Sequence, residues 1–189
     1  MTKQQQSAER TRWFRESRFG MFIHWGLYAI PARGEWVRSN EQMPEEAYRT
    51  YFDEFDPVRY NPRDWARLAR ETGMKYAVLT AKHHDGFCLF DSALTDYKST
   101  NTRCGRDLVR EFLDAFRAEG LKVGLYYSLL DWHHPDYPHE SDRIHPMRGN
   151  PAYGDKHRDF QNYIRNFHGQ VRELLTNYGR LDLMWFDFS

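Results

Sequence analysis

Cysteine is scarce in this chain, two residues in 189, and Cys88 and Cys104 sit in neither a metal-like nor a redox-like spacing. A disulfide framework is therefore not indicated, and both read as reduced thiols. A surplus of charge is also missing: Lys and Arg number 27 against 27 for Asp and Glu, so nothing in the balance pulls the protein onto nucleic acid or an anionic membrane. The partner to expect is small or uncharged. No stretch approaches the ~20 apolar residues that span a bilayer, and the opening residues, MTKQQQSAERTRWFRESRF, lack the apolar run of a secretory signal. These absences set the expectation of a soluble, cytoplasmic protein. Repeats and low-complexity linkers are absent too, and with 40% hydrophobic residues the chain suits one core and one domain rather than disorder.

Aromatic residues, by contrast, are plentiful at 16%, which fits a heavy core or stacking platforms for sugar rings. Four short apolar runs recur, Phe19 to Trp25, Tyr76 to Ala81, Val123 to Leu129 and Leu181 to Phe186, separated by amphipathic segments. Asn61 to Thr72 places Trp65, Leu68 and Ala69 at helical spacing before Gly73. Arg106 to Glu119 does the same with Leu108, Phe112, Leu113 and Phe116 before Gly120. Asp159 to Tyr178 repeats it with Phe160, Tyr163, Ile164, Phe167, Val171, Leu174 and Leu175 before Gly179. Each glycine is a helix stop, and a strand follows each helix. Nearly uniform apolar strands alternating with helices indicate an α/β fold with a parallel sheet, and a (β/α)8-like barrel is favoured over an open sheet. A complete barrel needs ~250 residues. About four β/α units are visible here, so the expectation is the N-terminal half of a barrel over residues 13–189, preceded by a polar extension over 1–12. The chain would stop just past an apolar strand with no helix to cover it, leaving an exposed edge.

In such folds the working residues lie at the C-terminal ends of the strands. The first strand ends in His24-Trp25-Gly26, the second in Lys82-His83-His84-Asp85-Gly86, the third in Tyr126-Tyr127-Ser128 and the fourth in Trp185-Phe186-Asp187. Histidines 24, 83 and 84 with Asp85 raise the possibility of zinc. Against it, adjacent histidines on one strand point to opposite faces unless a bulge realigns them. Hydrogen bonding to a polyhydroxylated ligand needs no such realignment, because neutral imidazole donates at one nitrogen and accepts at the other. Asp187 closes the apolar run LDLMWFD, where a buried acid without a role or partner is costly. Spacing alone leaves it equally a helix N-cap, with Phe188-Ser189 beginning the next turn, or a catalytic group. Asp131 reads as ordering the loop after the third strand, Asp85-Gly86 as a turn, and Asp91, Asp96 and Lys98 as solvated loop residues. Glu35-Trp36 is either a surface pair or a lid at the pocket mouth. His133, His134, His139 and His145 fall in a Pro-rich loop and read as surface residues.

The segments WFRESRFGMFIHWGLYAIPARGEWV, YAVLTAKHHDGFCLFDSALTDY, LKVGLYYSLLDWHHP and LDLMWFDFS together resemble family 29 of the glycoside hydrolases, the retaining α-L-fucosidases, from about Trp13 onward. The resemblance implies a catalytic barrel gripping terminal L-fucose, with His24, Trp36, His83, His84 and Tyr126 on the sugar and Glu35 joining them. It also implies that Asp187 is the nucleophile. No metal and no cofactor are implied. In the family the acid/base lies well beyond the nucleophile, so none is assigned within these residues. Two other readings compete: a fucose-binding fragment or paralogue without activity, and a metal-dependent hydrolase.

Overall fold

The computed structural model describes residues 2–154 and 157–188. Ser189, part of the N-cap reading of Asp187, lies outside them. Helix α1 (Lys3–Ser17) leads into β1 (Met21–Ile23), and the short α2 (Val37–Asn40), α3 (Glu45–Glu54) and α4 (Pro62–Glu71) precede β2 (Tyr76–Lys82). Then come α5 (Leu108–Ala118), β3 (Lys122–Ser128), the short α6 (Pro151–Gly154), α7 (Phe160–Asn177) and β4 (Leu183–Asp187). The four strands form one parallel sheet in the order β1-β2-β3-β4. Each predicted strand and each predicted helix is present, with ends that differ from the expected ones by no more than two residues. No helix among the described residues is long and apolar enough to cross a membrane.

Side-chain oxygens start the three long crossover helices. Asn61, Asp107 and Asp159 each accept a backbone N–H of the first turn of α4, α5 and α7, which satisfies donors that a helix start leaves orphaned. Gly73 and Gly120 end α4 and α5 in the left-handed region, at φ 84° and 71°, where any Cβ is strained. Besides the single-turn α2 and α6, two longer helices escaped the sequence reading. Helix α1 runs through residue 12, so most of the expected extension is the first two thirds of a helix that continues into Trp13 and Phe14. It buries none of its residues, so no apolar stripe announces it; only Trp13 and Phe14 reach the fold, packing against Tyr76 at 6.1 and 5.4 Å between ring centroids. Helix α3 lies between two expected strands and buries Tyr48 and Phe52.

One face of the sheet, carrying Ala77, Leu79, Ala81, Val123, Leu125 and Tyr127, packs with α4, α5 and α7 into the main core, where Leu79, Leu108, Phe112 and Phe116 are fully buried. Leu68, Phe160 and Leu175, expected on the inner faces of their helices, are instead turned outward and exposed; alanines 66 and 69 make the close approach of α4. The other face carries Phe22, His24, Val78, Thr80, Tyr126, Ser128, Trp185 and Asp187, as the register dictates. Strands β1 and β4 are the edges, yet the Phe22 and Trp185 rings meet at 5.5 Å. Three flat strand spacings would hold those edges about 14 Å apart, so the sheet curls strongly with this face inward.

Under the rim of that face lies a buried ion pair. Lys82 Nζ, with no exposed side-chain surface, donates to Asp131 Oδ2 at 2.8 Å and sits 4.6 Å from the Tyr127 ring centroid. Asp131 Oδ1 accepts the backbone N–H groups of His133 and His134, so it orders the loop as expected and does more besides. Burial works to raise the Asp131 carboxyl, and the attraction and hydrogen bond of Lys82 outweigh it, leaving a net depression. A depressed acid contributes stability above its unfolded value that is lost as pH falls through its folded one. Removing one partner strands the other charge in the interior. Asp131→Ala is therefore expected to cost ~3–5 kcal/mol at neutral pH in urea melts, and a cost under ~1 kcal/mol would show that water reaches Lys82.

Candidate active site

Residues 24, 83, 84, 126 and 187 converge at one rim because four parallel strands end there. On β2 the pairing with β3 skips a residue, Thr80 lying opposite Tyr126 and Lys82 opposite Tyr127. This irregularity, followed by departure from the ladder, is the kind of realignment that simple alternation lacks, and it brings His83 and His84 together. Their rings lie 4.0 Å apart, tilted 37°. The ring of His24, just beyond β1, is 4.7 Å from His83 and 5.5 Å from Tyr126. Thr80 Oγ1 holds that strand end in place, accepting from Trp25 N at 3.0 Å and donating to Trp25 O at 2.8 Å. Tyr28 closes the floor, 4.9 Å from the His83 ring.

Asp187 ends β4 beside its register partner Ser128. The Tyr126 hydroxyl donates to Asp187 Oδ2 at 2.7 Å, the Phe188 N–H donates to Oδ1 at 3.0 Å, and His84 Nε2 faces Oδ2 at 3.8 Å. The other nitrogen of His84, Nδ1, bonds Ser128 Oγ at 2.6 Å, which fixes the ring plane. The carboxylate keeps about a third of its surface open, while Phe188 turns the chain away at φ 60°. Half-buried Trp36 stands edge-on to His84 at 5.3 Å, with Trp132 and Phe188 beyond at 6.4 and 6.0 Å. Its neighbour Glu35 is exposed at the mouth, near enough that its charge acts on His24 and Tyr28.

Burial governs the charge of the three histidines. It holds His24 below the ordinary imidazole value, against the pull of Glu35 and Asp187. It pushes His83 well below, helped by the neighbouring His84, His24 and Lys82, and takes His84 to about 4 despite Asp187. All three are neutral at pH 7. His83 Nδ1 is buried without a hydrogen-bond partner among the described residues, an uncommon and costly condition. The Tyr126 hydroxyl is raised, first by burial and then by Asp187, so it remains a donor. The rim thus presents neutral donors and acceptors, the Asp187 carboxylate with Glu35 outside it at the mouth, and an indole plate, a set suited to a neutral polyol.

Several expectations need correction. His139 and His145 are buried, and His133 and His134 partly so, because the loop folds back over α2: Ser39 Oγ donates to Ile144 O at 2.6 Å, and His133 bonds Glu45 and stacks on Tyr97 at 4.0 Å. Asp85 makes its turn, accepting from Phe87 N, but is 2% exposed and also accepts from the Tyr48 hydroxyl; burial raises its carboxyl to about 6. Asp91 and Asp96 are exposed as expected, whereas Lys98 is largely covered and paired with Asp91. Thr80 and Trp132 were not singled out, and their part is visible only from contacts between strands; Ser128, placed at the end of the third strand, and Phe188, read as starting the next turn, both lie against His84. Among the described residues no group of three or more His, Cys, Asp or Glu is placed to hold a metal ion.

Residues 1–189 match the family model for α-L-fucosidase along their whole length. The rat tissue α-L-fucosidase is 38% identical over 143 residues, 67% of this chain and 31% of that protein, so the chain spans about a third of the length of the curated relatives it matches. Among solved structures, α-L-fucosidase isoenzyme 1 from Paenibacillus thiaminolyticus is 67% identical with a TM-score of 0.94, over 96% of this chain and 43% of that one. An α-L-fucosidase from Lactobacillus casei in complex with its α-L-fucose product is 32% identical, TM-score 0.86, over 96% and 62%. A Bacteroides thetaiotaomicron enzyme of glycoside hydrolase family 29, trapped as a covalent intermediate with 2-fluoro-fucosyl fluoride, is 34% identical, TM-score 0.81, over 95% and 41%. The chain belongs to the α-L-fucosidase family.

Proposed function

We propose that this chain carries the sugar-gripping half of a retaining α-L-fucosidase and that Asp187 is its nucleophile. The observation that carries the reading is a carboxylate at a strand end, held by Tyr126 and faced by three neutral histidines. His24, His83, His84 and Tyr126 would bind the hydroxyls of a terminal α-L-fucosyl residue, with Trp36 under its apolar face and Glu35 at the rim. Asp187 attacks the anomeric carbon and forms a glycosyl-enzyme as the aglycone leaves. A second carboxylic acid, ~5–5.5 Å away, protonates the leaving oxygen and then activates water. No residue of this chain is assigned that part; it would come from sequence that the longer relatives carry beyond the matched region. The meeting of Phe22 with Trp185 across the curled sheet supports residues 13–189 as the first half of a (β/α)8-like barrel. The covalent intermediate of the Bacteroides enzyme supports retention.

Asp187→Asn, made in a protein joining this chain to the remainder found in its relatives, is expected to lower kcat/KM for an aryl α-L-fucoside by roughly 10³-fold or more. An equally active variant would remove Asp187 from the nucleophile's role. Binding is separable from turnover: millimolar L-fucose is expected to raise the melting midpoint where D-glucose does not, and a cooperative melt that fucose leaves unmoved would count against the pocket. The histidines add a pH signature. The unfolded imidazole titrates near 6.5 and folded His84 near 4, so the unfolded state binds more protons between those values and stability falls as pH drops through that window. Asp85, raised to about 6, works in the opposite sense. The comparison that isolates the histidine is His84→Gln with the parent, and the variant is expected to show the shallower loss of melting temperature between pH 6.5 and 4.

A further inference from the structure

The loops after β2 and β3 are tied together at three points. His84 Nδ1 bonds Ser128 Oγ, His84 O accepts from Trp132 N at 2.8 Å, and Lys82 Nζ bonds Asp131 Oδ2 while also reaching Leu130 O at 3.4 Å. The first two ties involve His84 directly. The third lies immediately before each partner, since Lys82 precedes His83-His84 and Asp131 precedes Trp132. It is deeply buried as well, with 0% and 5% of the two side chains exposed. Gly86 reinforces this closeness: at φ 82°, a Cβ there would collide with Asp131 Oδ1 and approach His133 Cβ to 2.7 Å, so only glycine lets the two loops come together. Neither Lys82 nor Asp131 reaches the open rim.

We infer that the buried Lys82–Asp131 pair is a positioning device for substrate binding, fixing the distance between the His83–His84 loop and Trp132 so that the imidazoles and the indole of Trp36, which buried Trp132 backs edge-on at 6.4 Å, meet the sugar at a set spacing. An apolar filler would hold the core equally well, because a buried pair is often no more stable than apolar residues of similar volume. What such filler lacks is direction. The ammonium has partners on three sides, Asp131, Leu130 O and the Tyr127 face, and so fixes where β2 ends relative to the β3 loop. Asp187 sits on β4, its carboxylate bonded by Tyr126 and the Phe188 N–H; its main-chain O accepts from Leu129 N at 3.1 Å, so the loop touches the backbone of Asp187 while the carboxylate itself faces the tied segments only at His84. Loosening the tie should therefore affect sugar binding rather than the nucleophile.

The inference rests on the fucosidase reading, and the test separates the two. The double variant Lys82→Met/Asp131→Asn removes both charges together, while the Asn carbonyl still accepts from His133 and His134. It is made in the same extended protein used for Asp187→Asn. The expected result is a melting temperature within a few degrees of the parent, KM for an aryl α-L-fucoside raised about tenfold, kcat within about twofold, and faster hydrogen exchange at the Trp132 amide. Lys82→Met alone, which strands Asp131, should melt much earlier, and restoring the aspartate's partner with Lys82→Arg should recover KM in part. A stable double variant with unchanged KM and unchanged Trp132 exchange overturns the positioning role. A parent that cleaves no α-L-fucoside overturns the fucosidase reading instead, and the Trp132 exchange still decides whether the pair sets the loop.

Discussion

The register between β3 and its two neighbours is the constraint on which the rest of the rim depends. Thr80 and Trp185 flank Tyr126, and Asp187 lies beside Ser128. Because side chains alternate with a period of two, a slip of one residue on either side would send Tyr126 or Asp187 into the helical core. The Tyr126–Asp187 hydrogen bond exists only in this register, and so does the Ser128 hydroxyl beneath His84. The helices support the same choice from the opposite face, where Leu79, Leu125 and Tyr127 fit against α5 and α7 only if their neighbours look inward.

Given that register, burial determines the chemistry. Three imidazoles withdrawn from water lose their charge, while the carboxylate among them stays partly open to solvent. Had the histidines been exposed, they would carry partial positive charge near neutrality and favour anions. As neutral groups they offer directional hydrogen bonds, and the unpartnered His83 Nδ1 is a position where a hydroxyl would recover a bond the fold leaves unmade. The site is thus prepared for a ligand that brings hydroxyls rather than charge.

How much of this was legible in the sequence follows from which forces are local. The strands and the long helices were readable because apolar periodicity and glycine stops act within a few residues, and the rim residues followed from the rule that parallel strands end their work at one side. Asp187 is ambiguous between cap and catalyst on spacing alone, since both roles suit an acid at a strand end. What stayed hidden depends on distant partners. Leu68 faces out because alanines, not leucines, let α4 approach, and the loop histidines are covered because Ser39 and Glu45, about 100 and 90 residues earlier, reach across to them. The pairing of Lys82 with Asp131, 49 positions apart, left no trace in local composition. The skipped residue on β2 that brings His83 and His84 together is equally invisible to an argument from alternation.

The curl of the sheet links these parts. An open parallel sheet would keep the ends of β1 and β4 apart, and His24 would not lie near enough to Asp187 for that charge to act on its imidazole. The contact of Phe22 with Trp185 shows that the two edges bend toward each other, and the Phe22 ring reaches Tyr126 as well, at 6.0 Å. Both edge aromatics are 43% and 45% exposed, apolar surface that is costly to leave wet. They sit on the same concave face as the polar rim but nearer the start of the strands, so the face grades from aromatic floor to hydrogen-bonding mouth. That gradient explains how one short stretch of sheet can bury its middle, Val78 and Tyr126 at 1% and 2% exposure, and still hold a carboxylate open to solvent one residue-pair further on.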